Sequence, residues 1–253
     1  MKKLLTLLLT FALVCCMLAS CASPTRQIIA KADLALTEAP YKMMVYMDFE
    51  CDNKAANEIF ATMDVKVPII IDGNNLSMNM KMSVKGNSAS VKTTIVDKVI
   101  YCDASTIGQS IKLKATMSDE EYYEFLNENN TQMILTPFHF ENITIETKDD
   151  KQYITCTEIY SDGLEELNDL IAEALASING KATIDDVSYV LVLKDGKYKS
   201  MDISYTYTVS ANNESFAVTV NIDTDFSYDN IASITAPADA DKYKDVDFGD
   251  LFG

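Results

Sequence analysis

The side chains able to do chemistry are few and scattered. His139 is the only histidine, and no cysteine or second histidine stands near it, whereas a zinc site draws several such ligands from short spacings. A packed or surface histidine is expected, because no partner for a nucleophile–base pair is evident. Cys51, Cys102 and Cys156 each fall inside a strand-like run. Their odd number excludes a disulfide framework; one pair plus a free thiol stays open, and buried thiols acting as small apolar groups are the expected state. Asp239, Asp241, Asp245, Asp247 and Asp250 gather near the C-terminus but lack the Asp-x-Asp-x-Asp-Gly spacing and distal glutamate of a calcium loop. A solvated acidic tail wrapping loosely is expected there. The sequence contains no phosphate loop or nucleophile elbow. With no general base, nucleophile and stabiliser that belong together, neither an enzyme nor a metal or cofactor is expected.

One cysteine is set apart by its place. Met1-Lys2-Lys3 precedes an apolar run from Leu4 to Met17, and Leu18-Ala19-Ser20 leads to Cys21. The run is short for a membrane span and is followed by small residues, as in a secretory signal. Small residues ending on cysteine resemble the lipobox of bacterial lipoproteins. That resemblance implies a signal over residues 1–20, cleavage before Cys21 and a diacylglyceryl group on its thiol. The expected location is the extracytoplasmic face of the cell membrane, with the membrane as a partner through the modified cysteine.

Charge narrows the other partners. Cleavage would remove Lys2 and Lys3 and no acid, taking the formal charge from −17 to −19. Such a surface repels phosphate backbones, so no nucleic-acid partner is expected, and an anchor would depend on acyl chains. Hydrophobic residues make up 48% of the chain, with only 8 glycines and 5 prolines, which argues for a folded body, not a stalk. No linker interrupts residues 21–253, so they are read as a single domain. The sequence sets no oligomeric state.

Methionine is the most suggestive residue type for a ligand. Of 12 in the chain, Met1 and Met17 precede Cys21, leaving ten. Met43, Met47, Met78, Met80 and Met82 alternate with polar residues on strand-like runs, where flexible thioethers suit a variable apolar ligand or fill gaps in an ordinary core. With them on the expected inward face are Val45, Met201, Ile203, Tyr205, Phe216, Val218 and Val220, and Leu167 and Ile171 on a helix facing it. These residues are the candidate ligand cavity. Tyr205 and Tyr207 share that face with aliphatics, which fits core filling better than sugar stacking.

The elements that would position this face follow from periodicity. Ile28, Ile29, Ala32, Ala35 and Leu36 recur at helical spacing up to Pro40. Tyr41 to Cys51 alternates with period two, and a second run is read over Ile59 to Ile71, with Pro68 marking an edge or bulge. Asp72-Gly73-Asn74-Asn75 turns into the alternating run from Leu76 to Val84. Shorter strands are expected over Ser88–Val96, Lys98–Asp103 and Ser110–Met117. Ser118-Asp119-Glu120-Glu121 reads as a capping box opening a short helix. Two strands near Phe138–Thr147 and Gln152–Ile159 precede a long helix from about Asp162 to Asn179. Val187–Lys194 turns at Asp195-Gly196 into the last two alternating strands, an antiparallel meander with one dry face.

About eleven strands and about three helices make an α+β chain whose dry face must be buried. A flat sheet would outrun three helices, so a curved antiparallel sheet, an unclosed barrel with helices on the concave side or as a lid, is expected. The element order, with Leu36-Thr37-Glu38-Ala39-Pro40-Tyr41-Lys42-Met43 near the start and Ile234-Thr235-Ala236-Pro237-Ala238-Asp239-Ala240 near the end, resembles the LolA/LppX-like bacterial lipoprotein superfamily. The resemblance implies a half-barrel with a helical lid over an apolar cavity that holds acyl chains. No arginine here matches the residue that such carriers use in gating, so lipoprotein transport is not carried over. The expected function is binding of a lipid-like or other apolar ligand. The alternative is a non-enzymatic cell-envelope scaffold with a filled core, engaging a protein segment by strand addition.

Overall fold

The structure, a computed structural model, describes residues 24–123, 136–161, 164, 165, 168, 181–211 and 214–251. It opens with helix α1 (Pro24–Glu38). Ile29 and Ala32 are fully buried, Ile28 and Leu36 pack beside them, and Leu34 faces solvent. This is the stripe that helical spacing predicts.

A single unclosed, curved sheet follows, with twelve strands among the described residues. The first group is β1 (Tyr41–Cys51), β2 (Asp64–Asp72), β3 (Asn75–Val84), β4 (Asn87–Val96), β5 (Val99–Thr106) and β6 (Gln109–Thr116). The second is β7 (Phe140–Lys148), β8 (Lys151–Ile159), β9 (Lys181–Lys194), β10 (Lys197–Ala211) and β11 (Glu214–Ser227). Most links are two-residue hairpins. Asp97-Lys98, Asp149-Asp150 and Asp195-Gly196 all hold positive φ at both positions, the left-handed pair whose twist matches that of the strands it joins. Each group is therefore an up-and-down meander. They meet where β1 pairs with β2 on one side and β11 on the other, both antiparallel. The order is β12-β6-β5-β4-β3-β2-β1-β11-β10-β9-β8-β7, and only the two-residue β12 (Lys244–Asp245) runs parallel to its neighbour.

The described helices cover one face unevenly, and the C-terminal segment wraps the β6 edge. α1 lies over the β7–β11 half, where Phe140, Ile154, Cys156, Tyr189, Leu191, Met201 and Phe226 form the largest core cluster. A short helix, α2 (Lys54–Phe60), caps the far end of β1, β10 and β11, with Phe60 against Phe49 at 5.8 Å between ring centroids. A helical turn at 119–123 places Tyr122 against Ile95, Ile100 and Ala115. Its capping box forms as read: Ser118 Oγ accepts from the Glu121 N–H at 3.2 Å, and Glu121 Oε2 accepts from the Ser118 N–H at 2.7 Å.

Several expectations are corrected. The run from Ile59 to Ile71 is not one strand: Asn53 Oδ1 accepts from the N–H groups of Ala55 and Ala56, starting α2, and Ile59 is an exposed residue of that helix. β9 begins six residues before Val187. The acidic tail is not loose. Lys112 Nζ bridges Asp103 (3.1 Å) and Asp239 (2.7 Å), Lys114 lies 3.5 Å from Asp245, and β12 pairs with β6. Tyr243 is buried with its ring edge-on to Tyr101, and Val246 and Phe248 join the cluster around Ile95. Charge alone predicts solvation; the tail's apolar residues and two lysines on the edge strand reverse it. The helix expected over Asp162–Asn179, with Leu167 and Ile171, lies outside the described residues apart from helical positions 161, 164, 165 and 168.

Candidate functional site

Strand pairing turns the local alternation into continuous rows. On the apolar face one row runs Met43, Ile69, Met78, Thr93, Cys102 and Leu113, from β1 to β6. The next joins Met80, Val91, Ala104 and Ile111, and a third joins Met47, Val65, Met82 and Ala89. β2 and β3 share no ladder pairs at Val67 and Pro68, since proline has no N–H to donate. That break stands beside Met80.

The predicted cavity residues divide between core and open surface. Met201, Ile203, Val218 and Val220 are buried core residues, and Tyr205 and Phe216 pack against them half-buried. Met43 packs on the main core, while Val45, Met47 and Met78 are half-buried. Met80 and Met82 keep 39% and 40% of their surface, beside Val91 at 36% and Ile111 at 56%. The apolar face is thus closed over β7–β11 and at the Ile95–Ile100 end, and left open over the middle of β3, β4 and β6. Cys21 lies outside the described residues.

A cavity of about 460 Å³ opens at the nearby end of β2–β5. Of the predicted residues it contains only Met82; its other lining includes Asp64, Lys66, Lys81, Ser83, Ser88, Ser90, Ser105 and Ile107. Lys66, Lys81, Ser90 and Ser105 occupy one cross-strand row. The serine hydroxyls of that row are 2.9 Å apart, and Lys66 Nζ lies 3.0 Å from Asp64 Oδ2. Sequence reading missed this group, because the alternating polar residues of four separate runs carry no sign of their mutual register. On the same face of β10 and β11 the charge reverses: Asp202 stands opposite Asp223, and burial together with Asp223 and Asp225 raises its carboxyl above the usual value.

Polar groups are also buried beneath α1. Strict alternation would put Tyr198 with Ser200 on the polar face, but the ladder skips Lys199. This bulge turns Tyr198 into the core, 1% exposed, where its hydroxyl donates to Asp33 of α1. Burial raises the Asp33 carboxyl, and the Tyr198 bond only partly offsets it. Burial also pushes the Cys156 thiol up to about 12, so it stays a neutral core group. Cys51, Cys102 and Cys156 are all free. His139 serves its own turn: its Nδ1 accepts from the Thr136 N–H at 3.0 Å, capping the turn Pro137–His139.

One open antiparallel sheet, with its described helices on one face and the C-terminal segment wrapping the β6 edge, places the molecule among α+β proteins of the unclosed half-barrel kind. The chain belongs to a family described as being of unknown function (DUF6612), whose model matches residues 26–245. No curated protein matches it.

Proposed function

We propose that this protein is a membrane-anchored extracytoplasmic lipoprotein of LolA-like build. It holds a lipid-like or other apolar ligand on the uncovered part of its apolar face, and Cys21 carries its anchor. The reading is of a binding protein, not an enzyme. It is supported above all by the exposure of Met80, Met82, Val91 and Ile111 on a face whose other regions are tightly covered. Adjoining apolar side chains left in water cost about 25 cal/mol per Å² against burial, a driving force that a ligand can recover. Methionine suits the role, since its unbranched thioether adapts to ligands of different shape.

The test is organic extraction and mass spectrometry of the chain expressed without residues 1–21. The expected result is co-purified lipid near one equivalent, most of it lost in the double variant Met80→Gln/Met82→Gln. A protein that carries no lipid and binds no apolar dye would overturn the reading in favour of a ligand-free scaffold.

A further inference from the structure

The cavity at the end of β2–β5 has a chemistry of its own. In a chain with 38 acids against 21 bases, its lining holds two lysines and one acid. Lys66 and Lys81 face each other directly across β2 and β3, an arrangement of like charges that destabilises a ladder until a counter-charge settles between them. Asp64 answers Lys66, whereas Lys81 forms no ion pair among the described residues. Ser83, Ser88, Ser90 and Ser105 line the cavity with the two lysines. Two ammonium groups and several hydroxyls offer more donors than the two oxygens of a carboxylate can accept, and suit an oxyanion with three or more acceptors.

The rest of the lining is Thr106 and three apolar residues, Met82, Ala89 and Ile107. Ile107, at the tip of the β5–β6 hairpin, is 70% exposed. Met82 also lines the cavity, but as the neighbour of Lys81 in β3 it belongs to the opposite, apolar face of the sheet. The apolar side chain on offer beside the lysine row is therefore Ile107. We propose that the cavity takes the phosphate group of an anionic amphiphile, with Lys66 and Lys81 as its charge partners and the tail lying toward Ile107. Neither the phosphate site nor the tail's placement rests on the apolar-ligand reading.

The experiment uses the full chain in a non-ionic maltoside micelle, with empty micelles as blank. It is titrated with dihexanoyl phosphatidic acid, dihexanoyl phosphatidylcholine or inorganic phosphate, followed by calorimetry and phosphorus NMR. Phosphatidic acid is expected to bind at least about tenfold tighter than either other probe. Raising salt should weaken it, because exposed charges are screened. The double variant Lys66→Gln/Lys81→Gln should lose at least about tenfold of that affinity while melting like the wild type, since both lysines are exposed.

Equal binding by this variant and the wild type, or no binding of any phosphate probe, would overturn the site. Inorganic phosphate binding as tightly as phosphatidic acid would overturn the amphiphile. The two readings fail separately. Loss of co-purified lipid with phosphate binding intact would discredit the apolar ligand alone, and lipid retained without any lysine dependence would discredit this cavity alone.

Discussion

The hydroxyl of Tyr198 on β10 donates to the carboxylate of Asp33 on α1, so the first helix is tied to the sheet by a polar bond inside its apolar contact. The bond exists because the β-bulge at Lys199 turns Tyr198 inward. Its acid titrates above the ordinary carboxylate value of 3.8, because burial disfavours the charge more than the Tyr198 bond favours it.

A folded-state value above the unfolded one means that the native protein holds the proton more tightly. The stability contributed by Asp33 is then complete below 3.8 and lost as pH rises through its folded value. Asp33→Asn keeps a partner for Tyr198 but cannot titrate. The stability of the wild type relative to this variant should fall with pH above 3.8 and then level off. Urea denaturation at a series of pH values measures it; a flat difference would mean that Asp33 titrates normally.

Tyr189 is fully buried, packs against Phe140 at 5.7 Å between ring centroids, and its hydroxyl has no hydrogen-bond partner among the described residues. A buried donor without a partner costs about 1–3 kcal/mol. Tyr189→Phe should therefore stabilise the protein by about 1 kcal/mol, read as a higher urea midpoint with unchanged slope.

Leu191 and Met80 lie on the same face of the sheet but on opposite sides of the covered boundary. Leu191→Ala opens a cavity in the main core, where Leu191 is 0% exposed, and should cost about 2–5 kcal/mol. Met80→Ala removes a side chain that is 39% exposed and should cost under about 1 kcal/mol. Equal losses in denaturation would mean that Met80 is as covered as the core.

Much of the fold was legible in the chain because it is written in short-range terms. α1 ends where Pro40 stops it, the capping box at Ser118 forms, and the odd and even residues of β1, β3, β10 and β11 take the faces that alternation assigns. Where the short-range signal misled, a competing local bond was the cause: the Asn53 cap drew Ile59 into α2.

What the sequence alone determined is which side chains share a face, since the pleat sends neighbouring residues to opposite sides whatever lies around them. Only the tertiary structure decided which part of that face is covered. That depends on β1 pairing with β11 across most of the chain, on α1 lying over β7–β11, and on Val246 and Phe248 of the tail packing beside Ile95 and Ile100. The row joining Lys66, Lys81, Ser90 and Ser105 arises the same way. Register between strands is set by the whole assembled sheet, and no residue of a single strand encodes its neighbour across the ladder.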